Sequence, residues 1–265
     1  MTPLYILALA LYGAATGVLA AHIFYRSERM LRLGRWVMVG ALVAQLALIG
    51  VLCMRGFNPL RDVRGALGLS GWLLGAGYLL TTLRSRFAVI GALVAPVSGA
   101  LLLASWLLPL GGSPAGMART LSLLGKLHIA LSALGVAAFG LAAAVSIIYL
   151  FQEAALKRKR VSSLSRRTPS LTALDDASRR AILVGFPLFT LAVITGLIWA
   201  TRIPGEGFRL EHAVSALTWM IFAGLIAARV SVGLRGRSAA LLTISGFVAT
   251  MVVLLIYLSR RLIGG

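Results

Sequence analysis

Eight long apolar stretches, separated by short basic or turn segments, constrain this chain more than any other feature of its sequence. A helix needs about 20 apolar residues to cross the hydrocarbon core of a bilayer, where an open backbone would leave its hydrogen bonds unmade. The stretches predict transmembrane helices at residues 3–25, 36–54, 66–83, 87–108, 122–152, 181–201, 211–232 and 238–258. We therefore expect an all-α fold, a polytopic membrane helix bundle of about eight transmembrane helices that forms one integral membrane domain over residues 1–265.

The placement of charge predicts how the chain is oriented. Lys and Arg number 26 against 7 Asp and Glu, and the basic residues lie almost entirely between the apolar stretches. Of the 26, the alternate segments that include 26–35, 84–86, 153–180 and 229–237 hold 17, and the other segments hold 9. By the positive-inside rule the first set is cytoplasmic, so both termini should lie outside. This placement suits membrane lipid as a partner and argues against nucleic acid.

The segment 153–180 is the longest of the basic segments, and we predict that it forms a cytoplasmic loop. It could bind anionic lipid or a cytoplasmic protein. The simpler interpretation is a solvated loop that only fixes topology, because topology alone requires such a run of charge.

The apolar stretches carry little that could perform transport or catalysis. Asp and Glu are absent from the interior of every predicted span, which argues against a small-solute transporter. Gln45, the one polar candidate near a span centre, is more often an interhelical hydrogen bond than a transport site. Cys53 is the only cysteine, so CxxC redox pairs and thiolate metal cages are excluded. No nucleophile, base and orienting group can be assembled, and we expect a protein that is not an enzyme.

Three histidines are the remaining candidates for chemistry. His128 and His212 open the fifth and seventh spans at one predicted level, near the outer face of the membrane. His22 lies at the inner, cytoplasmic end of the first span. Two histidines at one level could bind a haem iron, although a histidine hydrogen-bonded at the interface is the more ordinary role.

The candidate haem site includes small and aromatic residues beside these two histidines. Ser132 and Gly135 share the helical face of His128, and such a face lets either a flat macrocycle or another helix approach. Trp199 and Trp219 would be aromatic walls. A haem bound here would be the cofactor, with His128 and His212 as its metal ligands, and the alternative of two histidines hydrogen-bonded at the interface stays open on the residues alone.

The C-terminal half, residues 127–262, resembles the cytochrome c assembly family. Three segments carry the resemblance: LHIALSALGVAAFGLAAAVSIIYLFQEAALKRKR, PSLTALDDASRRAILVGFPLFTLAVITGLIWA and SALTWMIFAGLIAARVSVGLRGRSAALLTISGF. They are similar to the family's Leu-His pair, Gln-Glu end, Leu-Asp, Gly-Phe-Pro, Thr-Gly and Leu-Arg-Gly-Arg patterns. The resemblance implies haem handling, with His128 matching the family histidine upstream of a tryptophan-rich Trp-Asp motif.

The chain departs from the haem-ligase pattern in two places. The outer loop reads TRIPGEGFRLEH, without the Trp-Asp motif, and YLSRRLIGG stands where ligase members have a second histidine. These departures argue against haem attachment to apocytochrome, and Ser259 and Arg260 resemble the shorter HemX-type and YpjD-type branch. That branch implies an accessory role in haem biosynthesis or cytochrome c biogenesis in the bacterial inner membrane, with glutamyl-tRNA reductase or cytochrome maturation proteins as partners. The alternatives are a non-haem scaffold that acts through its basic loop and a small-solute transporter.

Overall fold

The computed structural model describes residues 2–25, 27–60, 63–82, 87–108, 123–157, 169–201 and 210–263. These residues form eight α-helices: α1 Thr2–Tyr25, α2 Glu28–Met54, α3 Val63–Thr82, α4 Gly91–Leu107, α5 Leu123–Lys157, α6 Leu171–Ala200, α7 Leu210–Ser231 and α8 Arg237–Ile263. A short 3-10 helix, Phe87–Ile90, leads into α4. The described ranges contain no strand, and the predicted all-α bundle is confirmed.

Length and hydropathy make most of these helices capable of crossing a membrane. Six qualify outright, namely α1, α2, α5, α6, α7 and α8, and α4 is a shorter apolar helix. Five glycines and Arg64 lower the hydropathy of α3, although its length of 20 residues matches a bilayer. The chain is therefore a multi-pass membrane protein.

Two helices begin well before the predicted spans. Ser27 caps α2 by accepting a hydrogen bond from the backbone N–H of Met30, and Ser170 caps α6 in the same way from Ala173. The hydrophobic stretch marks only the part in hydrocarbon, whereas the helix continues into the polar interface. The predicted loop 153–180 is accordingly shortened on both sides, because α5 runs to Lys157 and α6 begins at Leu171. Residues 158–168 lie outside the described residues.

Helix α5 lies at the centre of the bundle. In its most apolar 18-residue stretch 61% of the residues are buried, whereas the corresponding stretches of the other five candidate spans are 17–33% buried. It packs against α3, α6 and α8. One hydrophobic cluster joins α1–α4 to α5, and a second joins α5 to α6, α7 and α8 around Phe139, Ile182 and Phe222.

The predicted interhelical role of Gln45 is confirmed. The Tyr12 hydroxyl donates to Gln45 Oε1 at 2.6 Å, and Gln45 Nε2 donates to the carbonyl oxygen of Gly68 at 2.8 Å. Gln45 is completely buried, so both bonds lie in the core where an unmade bond would be costly. This polar side chain joins α1, α2 and α3.

Candidate functional site

The titratable residues of helices α5 and α7, together with Gln152, fall into two groups that lie about one bilayer apart. At 1.5 Å per helical residue, His212 and Arg229 of α7 are about 26 Å apart along the axis, and His128 and Gln152 of α5 about 36 Å. The hydrocarbon core is about 30 Å thick. One group therefore lies at each interface, with the histidines at the end predicted to be outside.

His128 is held against helix α6 by its imidazole. Its Nδ1 donates a hydrogen bond to the carbonyl oxygen of Ala192 at 2.7 Å. A carbonyl oxygen can only accept, so Nδ1 carries the hydrogen, and in the neutral ring the lone pair is then on Nε2. This is the arrangement that metal-binding histidines use to fix their tautomer and orientation.

Two further predicted residues lie beside His128. His212 of α7 is close enough to His128 to interact with it electrostatically. The indole ring of Trp199 lies 6.3 Å from the His128 ring, centroid to centroid, at an interplanar angle of 35°. The structure therefore places Trp199 of α6 beside His128 of α5, and His212 of α7 within electrostatic range of His128.

The other predicted site residues lie at or below this level. Ser132 is half-buried one turn along α5, and a Cβ built on Gly135 would lie 3.4 Å from Cβ of Phe189. The small-residue face at Gly135 thus accommodates another helix, α6, and not a flat macrocycle. Trp219 lies two turns past His212, where its indole N–H donates to Thr190 Oγ1 at 3.0 Å.

His22 lies at the other end of the bundle and has a local partner. Its Nδ1 donates to the carbonyl oxygen of Ser27, the N-cap residue of α2, at 2.9 Å. The side chain of Ser27 also caps α2. The hydrogen bond of His22 therefore links the end of α1 to the start of α2.

Ala192 and Gly196 belong to the site, although the sequence did not single them out. Ala192 provides the acceptor for His128, and a Cβ built on Gly196 would lie only 2.6 Å from His128 Cε1. The one available signal was the Thr-Gly pair of the family resemblance, Thr195-Gly196. A contact to a backbone carbonyl leaves no other mark in sequence.

The opposite end of these helices holds a buried ion pair. Arg229 of α7 binds Asp175 of α6 with two bonds, Nη2 to Oδ1 at 3.1 Å and Nη1 to Oδ2 at 3.4 Å. The side chains are only 5% and 11% exposed. Nearby, the hydroxyls of Ser146 and Ser178 are hydrogen-bonded at 3.0 Å. Asp175 was predicted to lie in a loop, but it lies in the second turn of α6.

The donor set at the histidine end fits a haem iron better than a smaller metal ion. Within the described ranges, no three His, Cys, Asp or Glu side chains gather as a metal cage. A haem iron needs only one or two axial nitrogens from the protein. The outer loop 202–209, with Glu206, and the side chain of Glu211 lie outside the described residues.

Comparisons with known proteins point to one family. The family model "Cytochrome C assembly protein" matches residues 60–265. The chain is 27% identical to the cytochrome c biogenesis protein CcsA of Microcystis aeruginosa, over 85% of this chain and 84% of the relative. It is 34% identical to the CcsA of Crocosphaera subtropica, over 43% of this chain and 34% of the relative. It is 27% identical to the protein HemX of Brevibacillus brevis, over 80% and 78% respectively.

A solved structure shares the fold. The cytochrome c haem lyase CcmF superposes on this chain with a TM-score of 0.65 at 16% identity. The match covers 97% of this chain and 48% of that one, so the chain spans about half the length of the lyase.

Proposed function

Because the chain belongs to the cytochrome c assembly family, we propose that it is a HemX-like, haem-binding accessory of haem biosynthesis or cytochrome maturation, without ligase chemistry of its own. We place it in the bacterial inner membrane. Its partners would be haem and either glutamyl-tRNA reductase or cytochrome maturation proteins.

The observation that carries this proposal is the environment of His128. His22 makes the same kind of Nδ1 bond to a carbonyl oxygen, so what sets His128 apart is that bond together with the indole ring of Trp199 and a second histidine in its surroundings. Here a 2.7 Å bond to Ala192 directs the lone pair onto Nε2, and His212 offers a second imidazole from α7. The two rings would supply nitrogen ligands of the kind that haem proteins use for their iron.

The residues around the histidines have distinct parts in holding haem. Haem itself would supply an iron that changes its oxidation state. His128 and His212 would bind that iron, and Trp199 offers an aromatic ring against which a macrocycle can pack. No acidic side chain is needed for this role.

One observation supports an accessory role over haem attachment. The loop between α6 and α7 lacks the tryptophan-rich motif of the ligase members.

The optical spectrum of the purified protein tests the proposal. We expect a Soret band with reducible α and β bands. His128→Ala should weaken haem binding at least about tenfold, since even groups that only orient a ligand contribute that much, and it should shift the bands. His22→Ala removes an imidazole at the other end and should leave the spectrum alone. Equal loss in both variants would place the site elsewhere, and a wild-type protein that cannot be loaded with haem would refute the proposal.

A scaffold role is the second candidate, and exposed charge supports it. Arg179 and Arg180 on α6 and Arg235 and Arg237 at the turn into α8 are exposed, and the sequence of segment 158–168 holds five more basic residues. These cations could bind an acidic surface of a cytoplasmic partner. A haem-free protein that captures such a partner, and loses it when the basic segment is neutralised, would favour this function. A transporter has less support, because Asp175 is already paired with Arg229.

A further inference from the structure

We propose that Gly196 of α6 is the positioning residue for His128, in that its missing side chain lets the imidazole reach the carbonyl of Ala192. The inference about haem rests on the proposed function. The inference about the geometry of His128 does not, and it can be tested in protein without haem.

Contact distances give the first step. A Cβ built on Gly196 would lie 2.6 Å from Cε1 and 2.7 Å from Nδ1 of His128, whereas real Cβ contacts below 3.0 Å are essentially absent. Any other residue would therefore displace the ring. Glycine in a helix interior is less favourable than alanine, so its presence at this close contact has a compensating use.

The shared carbonyl gives the second step. Gly196 follows Ala192 by four residues, so the glycine that makes room for the ring lies directly beside the ring's acceptor. That oxygen also accepts from Thr195 Oγ1 at 3.1 Å. A Cβ on residue 196 would lie 2.7 Å from Nδ1 of His128, and an ordinary contact between these two atoms begins at 3.4 Å. The Nδ1 end of the ring would therefore have to move by about 0.7 Å. Where that movement leads away from the carbonyl oxygen, the 2.7 Å hydrogen bond lengthens to at most about 3.4 Å, the edge of what counts as one.

The tautomer gives the third step. With the bond to Ala192 made, the hydrogen stays on Nδ1 and Nε2 keeps its lone pair. With that bond stretched, the hydrogen can move to Nε2, and that nitrogen then has no lone pair for iron. Gly196 therefore governs which nitrogen of His128 is available as a ligand.

The first experiment compares Gly196→Ala with Gly224→Ala in the full chain in detergent. Gly224 lies in α7 with no atom within 4 Å of a built Cβ, so it controls for the helical effect of alanine. The chain has three histidines, so nitrogen-15 labelling of histidine gives few signals, and His128→Ala identifies those of His128. We expect the wild type and Gly224→Ala to carry the hydrogen on Nδ1, and Gly196→Ala to show a mixture. Haem affinity should fall about tenfold in Gly196→Ala alone.

The second experiment is a double-variant cycle. If Gly196 acts through the ring, Gly196→Ala should lower the thermal midpoint of the wild type, and it should not lower that of His128→Ala, where the ring is gone. An equal loss in both backgrounds, or an unchanged tautomer in Gly196→Ala, would overturn the inference. If the wild-type protein binds no haem, but the tautomer of His128 and the thermal midpoints of the variants are as expected, the proposed function is refuted and the positioning role stands.

Discussion

Replacing Asp175 by Asn should destabilise the bundle by about 3 kcal/mol, because the guanidinium of Arg229 would stay buried without its carboxylate. Both bonds of the pair would weaken, and the side chain of Arg229 is only 5% exposed. The Nε of Arg229 is also buried without a described hydrogen-bond partner, so this atom does not compensate for a lost carboxylate. Breaking a buried pair costs about 3–5 kcal/mol, and we take the lower end because this pair lies near the membrane surface.

The nearby pair of Glu153 and Lys157 serves as the control. Glu153 is 14% exposed but Lys157 is 64% exposed, so the ammonium left behind by Glu153→Gln stays in solvent and the change should cost less than about 0.5 kcal/mol. The double replacement Asp175→Leu with Arg229→Met should recover most of the loss, because removing both charges also removes their desolvation cost.

Reversible unfolding in mixed micelles, followed by circular dichroism as the denaturing detergent is increased, measures these free energies. The reasoning fails if Asp175→Asn stays within about 0.5 kcal/mol of the wild type, the value expected of an exposed pair. It also fails if the double replacement is as unstable as the single one.

Two further predictions concern topology and the N-terminal helices. Reporter fusions at Ser163 and Gly265 should report the cytoplasm and the outside respectively, and the same signal from both would contradict eight spans. Gln45→Leu should cost about 1–3 kcal/mol in the same unfolding assay, because the Tyr12 hydroxyl and the Gly68 carbonyl would lose their buried partner; no measurable loss would mean that the hydrogen bonds to Gln45 add little to stability.

Hydropathy predicted the helices well because burial in lipid acts on every residue of a span. It placed the starts of α2 and α6 too late, at 36 and 181, because interfacial turns such as those after Ser27 and Ser170 are polar and are stabilised by capping.

The site was predictable only in part. His128 and His212 stand at equivalent places in two parallel spans, so their shared level follows from sequence, and the structure places Trp199 with them. Trp219 was grouped with them by its helical face alone. Two turns carry it about 10 Å deeper, where it bonds Thr190 instead.

The central position of α5 also sets the order in which the protein can fold as it is synthesised. The hydrophobic cluster around α1–α4 includes Ala137, Ala144, Val145 and Ile148 of α5, so the first four helices lack one wall until the fifth has been inserted. Domains generally fold from the N-terminus during synthesis. We therefore expect the hydrophobic cluster of α1–α4 to stay incompletely buried until α5 has been inserted. Once inserted, α5 completes that cluster with one face and offers its other face as the surface on which α6, α7 and α8 assemble.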